Sequence, residues 1–219
     1  MLPIILCIET ATTNCSVAIA HNGKTLAVKE DYNGSYSHTE KLHLFIQDIL
    51  EENNLKLSNL EAVAISTGPG SYTGLRIGVS AAKGLCFSLD IPLISVPTLT
   101  ALANQVEQQG IVVPMLDARR MEVYAAVFNS AKEQILKTSA IILEPDSFRE
   151  YLERDQVYFI GSGVEKFQKI CLHPNANFIE NKLPSAREMV EIAVSKHKIG
   201  DFENVAYFEP YYLKDFIAG

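Results

Sequence analysis

One stretch leaves this chain few ways to fold. Ser66 to Gly78 reads STGPGSYTGLRIG. The short apolar run before it, Ala62-Val63-Ala64-Ile65, reads as a buried strand. After it, Leu75, Val79, Ala82, Leu85 and Leu89 recur at steps of three and four, the spacing of an amphipathic helix. The stretch is therefore a strand-to-helix turn. Gly68 and Gly70 reach backbone angles that a side chain forbids, and Pro69 fixes one angle between them. Ser71 or Thr73 can cap the new helix with a hydroxyl. Amides at such a helix start suit an anion or a carbonyl oxygen. The string is not a Walker loop, because no Gly-Lys-Ser/Thr follows at the needed spacing. Its glycines are spaced GxGxxxG, not GxGxxG, so a phosphate site and a plain structural turn both stay open.

The rest of the chain surrounds this turn with alternating elements. Ile4 to Glu9 reads as a first strand, and Cys15–His21 and Lys24–Glu30 as a hairpin around the turn signal Asn22-Gly23. Ser37 to Asn53 reads as a helix, with Ser37 and Glu40 spaced as a capping box and Leu42, Phe45, Ile46, Ile49 and Leu50 on one face. A strand at 92–95 and a helix from Thr98 to Gln108, stopped by Gly110, complete a first half. From Ile111 the pattern starts again: strands at 111–116, 121–128 and 134–143, a short helix at 145–154, and a strand at 157–160. Gly161-Ser162-Gly163 opens a further helix and Pro184-Ser185 the last one, 186–198. The expected division is 1–110 and 111–219.

The whole string 66–78 is similar to the GPGSFTGLRIG segment of the TsaB family (YeaZ type), with Tyr72 in place of a phenylalanine. The same family pattern is visible in Ile8-Glu9-Thr10, in Ser37-His38-Thr39-Glu40, in Leu116-Asp117-Ala118-Arg119-Arg120, in Gly161-Ser162-Gly163 and in Pro210-Tyr211-Tyr212-Leu213. The resemblance implies an α/β fold of the actin-like ATPase and sugar-kinase (ASKHA) group. It has two related halves, each a mixed sheet flanked by helices. It also implies work in making threonylcarbamoyladenosine (t6A) on tRNA. In phosphotransferases of this fold the loop after strand one carries an acid, a glycine and a hydroxyl near the phosphates. Glu9 and Thr10 fit that pattern, while Ala11 departs from it. The residues expected nearest a nucleotide are Glu9, Thr10, Gly68, Gly70, Ser71, Gly161 and Gly163. No cofactor is expected to be required by this chain, with ATP or ADP possible in a complex.

The related TsaD family carries the catalysis of the pathway, with an HxxxH metal pair on a helix. His residues at i and i+4 share a face and can hold a metal. Here Thr98 and Leu102 stand at those places, so no metal site and no catalytic residue is expected. The resemblance implies a non-catalytic subunit that stabilises a TsaD-like partner and helps recruit a TsaE-like ATPase. The alternative is an enzyme of the same fold group, a glycoprotease-like peptidase or a phosphotransferase; Ser71, His38 and Glu40 are the members a serine peptidase would need. The two helices 37–53 and 72–89 carry more apolar or small surface than one core stripe requires. Leu44 lies off the main face of the first, and Gly74, Gly78, Ala81 and Ala82 on the second would let another helix approach. With His38, Leu42 and Tyr72 they form the expected partner surface, stacking as a four-helix bundle with the TsaD-like protein or, without it, in a homodimer.

Composition narrows the partners. Acidic residues number 26 against 19 basic ones, giving a net charge of −7, and Arg119-Arg120 is the only adjacent basic pair. Phosphate backbones need clustered Lys or Arg, so tRNA is expected only through a complex. No run is long enough to cross a membrane. Met1 to Glu9 lacks a basic flank and reads as a strand rather than a signal peptide. Cys7, Cys15, Cys86 and Cys171 show no CxxC pairing and read as free buried thiols of a cytoplasmic protein.

Overall fold

The computed structural model describes residues 2–32 and 37–214. The strands are β1 Ile5–Glu9, β2 Cys15–His21, β3 Lys24–Asp31, β4 Ala62–Ser66, β5 Leu93–Val96, β6 Ile111–Asp117, β7 Glu122–Phe128, β8 Gln134–Ile142, β9 Val157–Ile160 and β10 Ala176–Ile179. The helices are α1 His38–Glu52, α2 Tyr72–Leu89, α3 Thr98–Ala103, α4 Arg149–Leu152, α5 Val164–Gln168 and α6 Met189–Ile199, and Leu57–Asn59 forms one 3-10 turn.

The chain makes two compact units: Met1–Ala101 with Pro184–Gly219, and Leu102–Leu183. The first holds a five-stranded sheet in the order β3-β2-β1-β4-β5, the second one in the order β10-β9-β6-β7-β8. In each, the first strand pairs antiparallel with the second and parallel with the fourth. The second strand pairs antiparallel with the third, and the fourth parallel with the fifth. The connectivity of the two sheets is thus the same, which is the duplicated actin-like arrangement that the element order implies. The division differs from a cut at residue 110. Residues from Pro184 onward return to the first sheet, because α6 supplies the apolar stripe that the sheet's second face needs.

Burial on both faces explains why β1 and β4 read as unbroken apolar runs. Leu6, Ile8, Val17, Ile19, Val63 and Ile65 face α1 and α2, meeting Leu42, Ile46 and Ile49 from one helix and Val79, Ala82 and Cys86 from the other. The alternate residues Ile5, Cys7, Ala18, Ala20, Ala62 and Ala64 face α6, through Met189, Val190, Ala193 and Val194. Four alanines on that face let α6 lie close. In the second unit the core is aromatic: Phe159 and Phe167 stand edge-on at 4.9 Å, with Phe148 5.7 Å from each. All four cysteines are buried and free.

Local chemistry matches the sequence in places and departs from it in others. Asn22 and Gly23 both take positive φ, 53° and 80°, as a tight hairpin requires. Ser37 precedes α1 but does not cap it; its hydroxyl donates to Asp31 Oδ2 at 2.6 Å, so the anticipated capping box is absent. Helix α3 stops at Ala103 rather than near Gln108, and the Lys132 ammonium donates to the carbonyls of Ala103 and Val106, at 3.3 and 2.7 Å. The last helix begins at Met189 rather than Ala186, and β10 is a strand with no counterpart in the sequence reading.

The packing of α6 is testable. Ala193 is fully buried against the sheet, while Ile199 on the same helix is 78% exposed. Ala193→Asp places an unpaired carboxylate in that layer, and we expect a loss of about 3–5 kcal/mol in urea unfolding. Ile199→Asp should stay within about 0.5 kcal/mol of the parent. Equal midpoints for the two variants would show that α6 does not cover this face.

Candidate functional site

The turn after β4 is held from several sides. Gly68 has φ +107° and is followed by a cis bond to Pro69. Its amide donates to Thr98 Oγ1 at 3.0 Å, and the Thr98 amide donates back to Gly68 O at 3.1 Å. The Ser71 amide donates to Ala11 O at 2.7 Å, and Ser71 Oγ accepts from the Gly74 amide at 3.2 Å, capping α2. The carbonyl oxygen that this helix start suits is therefore supplied by the chain itself, from the loop between β1 and β2.

That loop lies directly under the glycines of α2. A Cβ on Gly70 would overlap Ala11, one on Gly74 would overlap the Thr10 carbonyl, and one on Gly78 the Thr10 hydroxyl. These glycines exist so that α2 can sit on its own loop. His38 closes the arrangement: it is buried at the start of α1, and its Nε2–H donates to Thr12 O at 2.7 Å. Burial lowers its pKa, in keeping with a neutral ring.

The residues expected near a nucleotide lie in both units: Glu9, Thr10, Gly68, Gly70 and Ser71 in the first, Gly161 and Gly163 in the second. Ala11 fills the space beside Gly70, and Glu9 and Thr10 are buried beneath the turn. In the second unit, Gly161, with φ +116°, and Gly163 press against Met115 and Val123. The Gly163 amide donates to Met115 O at 3.0 Å, much as Ser71 does to Ala11. Thr98 and Leu102 are both fully buried, and Thr98 spends its hydroxyl on Gly68. The Ser71–His38–Glu40 set does not form a triad: Ser71 is engaged with Gly74, His38 with Thr12, and Glu40 is exposed.

The expected partner surface divides in two. His38, Leu42, Gly74 and Gly78 face inward and are buried, so they are not available to a partner. Ala82 is buried too. Leu44 is 56% exposed, and Tyr72 and Ala81 are half-buried. An open groove runs between α1 and α2 from His43 across Arg76, Ile77, Ser80, Ala81 and Gly84 to Leu85. A Cβ on Gly84 would meet nothing within 4 Å, so Gly84, not Gly74 or Gly78, is the glycine that opens outward. Leu85, expected on the core stripe, is half-buried at its edge: with Ile77, Ala81 and Gly84 it forms a second stripe beside Leu75, Val79, Ala82 and Cys86, partly packed on the core and partly open to the groove. One flank of α2 is covered by the chain's own C-terminal segment. Tyr212 packs on Tyr72 at 4.9 Å, the Arg76 guanidinium lies 4.1 Å over the Tyr72 ring, and Lys83 Nζ donates to the carbonyls of Ala206 and Phe208. The Tyr211 amide donates to Thr67 O at 2.7 Å, tying the same segment to the turn.

Glu9 is fully buried on the α6 side of β1. Its Oε1 accepts from the Ala11 amide at 2.6 Å and from Ser66 Oγ at 2.9 Å, while Oε2 has no hydrogen-bond partner among the described residues. Burial outweighs these hydrogen bonds and pushes its pKa up to about 7. In the unfolded chain Glu9 ionises near 4.5, so folding is opposed increasingly as pH rises from 4.5 to about 7 and by a constant amount above that. Glu9→Gln keeps an acceptor for Ala11 and Ser66 and does not titrate. Between pH 4.5 and about pH 8, urea melts should show the variant gaining roughly 3 kcal/mol on the parent. A gap that stays constant with pH would show that folding does not raise the Glu9 pKa.

The family model described as "TsaD: tRNA N6-adenosine threonylcarbamoyltransferase" matches residues 32–218. The tRNA threonylcarbamoyladenosine biosynthesis protein TsaB of Haemophilus influenzae is 31% identical over 96% of this chain and 93% of its own length. The protein of the same name from Escherichia coli is 30% identical over 98% and 96%. A crystal structure from Pseudomonas aeruginosa, described as similar to peptidase YEAZ, superposes with a TM-score of 0.84 at 28% identity, covering 97% of this chain and all of that one. Identity of this level along nearly the whole length, with the same fold, means that the chain belongs to the TsaB family.

Proposed function

We propose that this chain is a non-catalytic subunit of the machinery that makes t6A on tRNA. It binds and stabilises a TsaD-like catalytic partner through the outward face of α1 and α2, and helps recruit a TsaE-like ATPase. In the absence of that partner it pairs with a second copy through the same face, since a two-fold contact reuses one surface. tRNA reaches it only within the complex, and any ATP or ADP is held there rather than beside Gly70. The observation that carries this reading is the open groove lined by His43 of α1 and by Ile77, Ala81, Gly84 and Leu85 of α2; elsewhere on the same two helices Leu44 and Phe87 are exposed, Phe87 at 85%. Contiguous apolar surface of this kind on a folded domain marks an interaction site. A specific interface buries about 1,600 Å² in total, an area that two helices can present. Thr98 supports the non-catalytic part, because its hydroxyl is consumed in the turn.

Leu44→Glu tests the surface without touching the core. The variant should keep the parent's circular dichroism and melting temperature. It should lose at least about tenfold in affinity for the TsaD-like protein, and lose the homodimer in sedimentation, as expected when a central apolar anchor becomes a buried charge. Unchanged association by a folded variant would move the interface elsewhere. In a reconstituted assay with carbamoyl-adenylate and tRNA, this chain without the TsaD-like protein should give no t6A. Product above the no-protein control would make it an enzyme.

A further inference from the structure

Arg76 stands where the groove meets the chain's own C-terminal segment. Tyr72 precedes it by one turn of α2, so the two side chains lie on one face, and the guanidinium sits 4.1 Å from the centre of the Tyr72 ring. Its Nε donates to Tyr212 Oη at 3.3 Å, and the Tyr212 ring packs on that of Tyr72 at 4.9 Å. Arg76 is exposed, and among the described residues it forms no ion pair, although the charge of Glu209 reaches it. The bond at Nε leaves the two terminal nitrogens, the end of the fork that takes a carboxylate through two parallel hydrogen bonds.

Tyr212 is itself held. The segment 203–212 is fastened to β5 by the Glu203 amide, which donates to Leu93 O at 2.8 Å, and to the turn by the Tyr211 amide on Thr67 O at 2.7 Å. Lys83 Nζ ties it to α2 through Ala206 O at 3.1 Å and Phe208 O at 3.0 Å. Val205 and Phe208 pack against the core that α1 and α2 share. The long Arg76 side chain is thus ordered before any partner arrives, and ordering such a side chain is one of the costs of association. The lining of the groove gives the sign of the charge it suits. His43 from α1 and Arg76 from α2 are its ionisable members, and it holds no acid. A second copy docked through the same groove brings that acid-free lining against itself, because a two-fold contact reuses one surface. The complement is an apolar helix that carries a carboxylate.

We propose that Arg76 selects the partner on this face: held ready by Tyr72 and Tyr212, it takes a carboxylate from an apolar partner helix seated in the groove. This role rests on the partner surface proposed above and adds the charge which that surface recognises. Exposed to water, such a pair is worth little. Enclosed between two helices, its hydrogen bonds are shielded, and losing the guanidinium leaves the partner's carboxylate unpaired. Tyr212 is a positioning residue. Through it the C-terminal segment sets partner affinity without touching the partner.

Surface plasmon resonance of the full chain against the TsaD-like protein tests this. Arg76→Gln should weaken binding at least about tenfold, mainly through faster dissociation. Arg76→Lys should not restore it, because an ammonium lacks the fork. Homodimer affinity should not fall in either variant; an equal fall in both associations overturns the selective role. Tyr212→Phe keeps the ring and removes the hydroxyl. It should weaken partner binding about threefold or more in the parent, and not at all in the Arg76→Gln background. Each variant should keep the parent's melting temperature. A folded Arg76→Gln or Arg76→Lys protein with the parent's affinity overturns the proposal, and so does a Tyr212→Phe effect that is the same in both backgrounds. Loss of binding in Leu44→Glu together with the parent's affinity in Arg76→Gln leaves the surface in place and removes only the role of Arg76. The parent's affinity in both removes the surface itself.

Discussion

The hydrogen bond from the Ser71 amide to the Ala11 carbonyl fixes the centre of the first unit. It joins the turn after β4 to the loop after β1, and each neighbouring feature depends on that contact being short. Gly70 and Gly74 lack side chains because Ala11 and Thr10 already fill their space. The β1–β2 loop is fastened from the other side by His38, so α1, α2 and the sheet meet at one buried knot. In a phosphate-binding version of such a turn, the helix-start amides would face an anion. Here a peptide carbonyl stands in that place. It meets the same need for an acceptor at a lower desolvation cost than a buried charge would carry.

This knot divides α2 into two surfaces with different work. The stripe Gly74, Leu75, Gly78, Val79 and Ala82 belongs to the interior. The stripe Ile77, Ala81, Gly84 and Leu85 lines the open groove beside α1, with Gly84 exposed and the other three packed in part on the core. A protein docking on that stripe, as proposed, would meet a helix whose inner face is packed on Thr10 and so would engage a rigid platform. Little ordering entropy is then lost on association.

Much of this was legible from residue order. Buried strands announce themselves as runs such as Ala62 to Ile65, and the turn 66–78 fixes the strand-to-helix switch. Asn22-Gly23 marks its hairpin, and the strand–helix order implies the duplicated fold. The failures have physical causes. β10 is four residues, Ala176–Ile179, all half-buried, so neither an apolar run nor an alternation marks it as a strand. The end of α3 is set by Lys132, which lies far along the chain. Ser37 has the right neighbours for a capping box, but Asp31 is a stronger acceptor for its hydroxyl. Gly74 and Gly78 suggest close approach, and close approach occurs; a sequence does not say whether the approaching atoms come from inside the chain or from another one. Asn14 gave no signal, because its partner Pro184 lies 170 positions away and only the fold brings the two together.

The return of residues 184–214 to the first sheet has a consequence for how the protein is made. Half of that sheet's cover, α6, comes after the whole of the second unit in the chain. The second unit, an uninterrupted stretch, has all its strands in hand before the first has its final layer. At about 5–20 residues per second, the Ile5, Ala18 and Ala62 face waits roughly 5–20 s between the emergence of β5 and that of α6. Through that interval it is bare apolar surface on a nascent chain. The alanines that let α6 lie close also keep the bare face small and poor in grip, which limits what else can settle on it before α6 emerges.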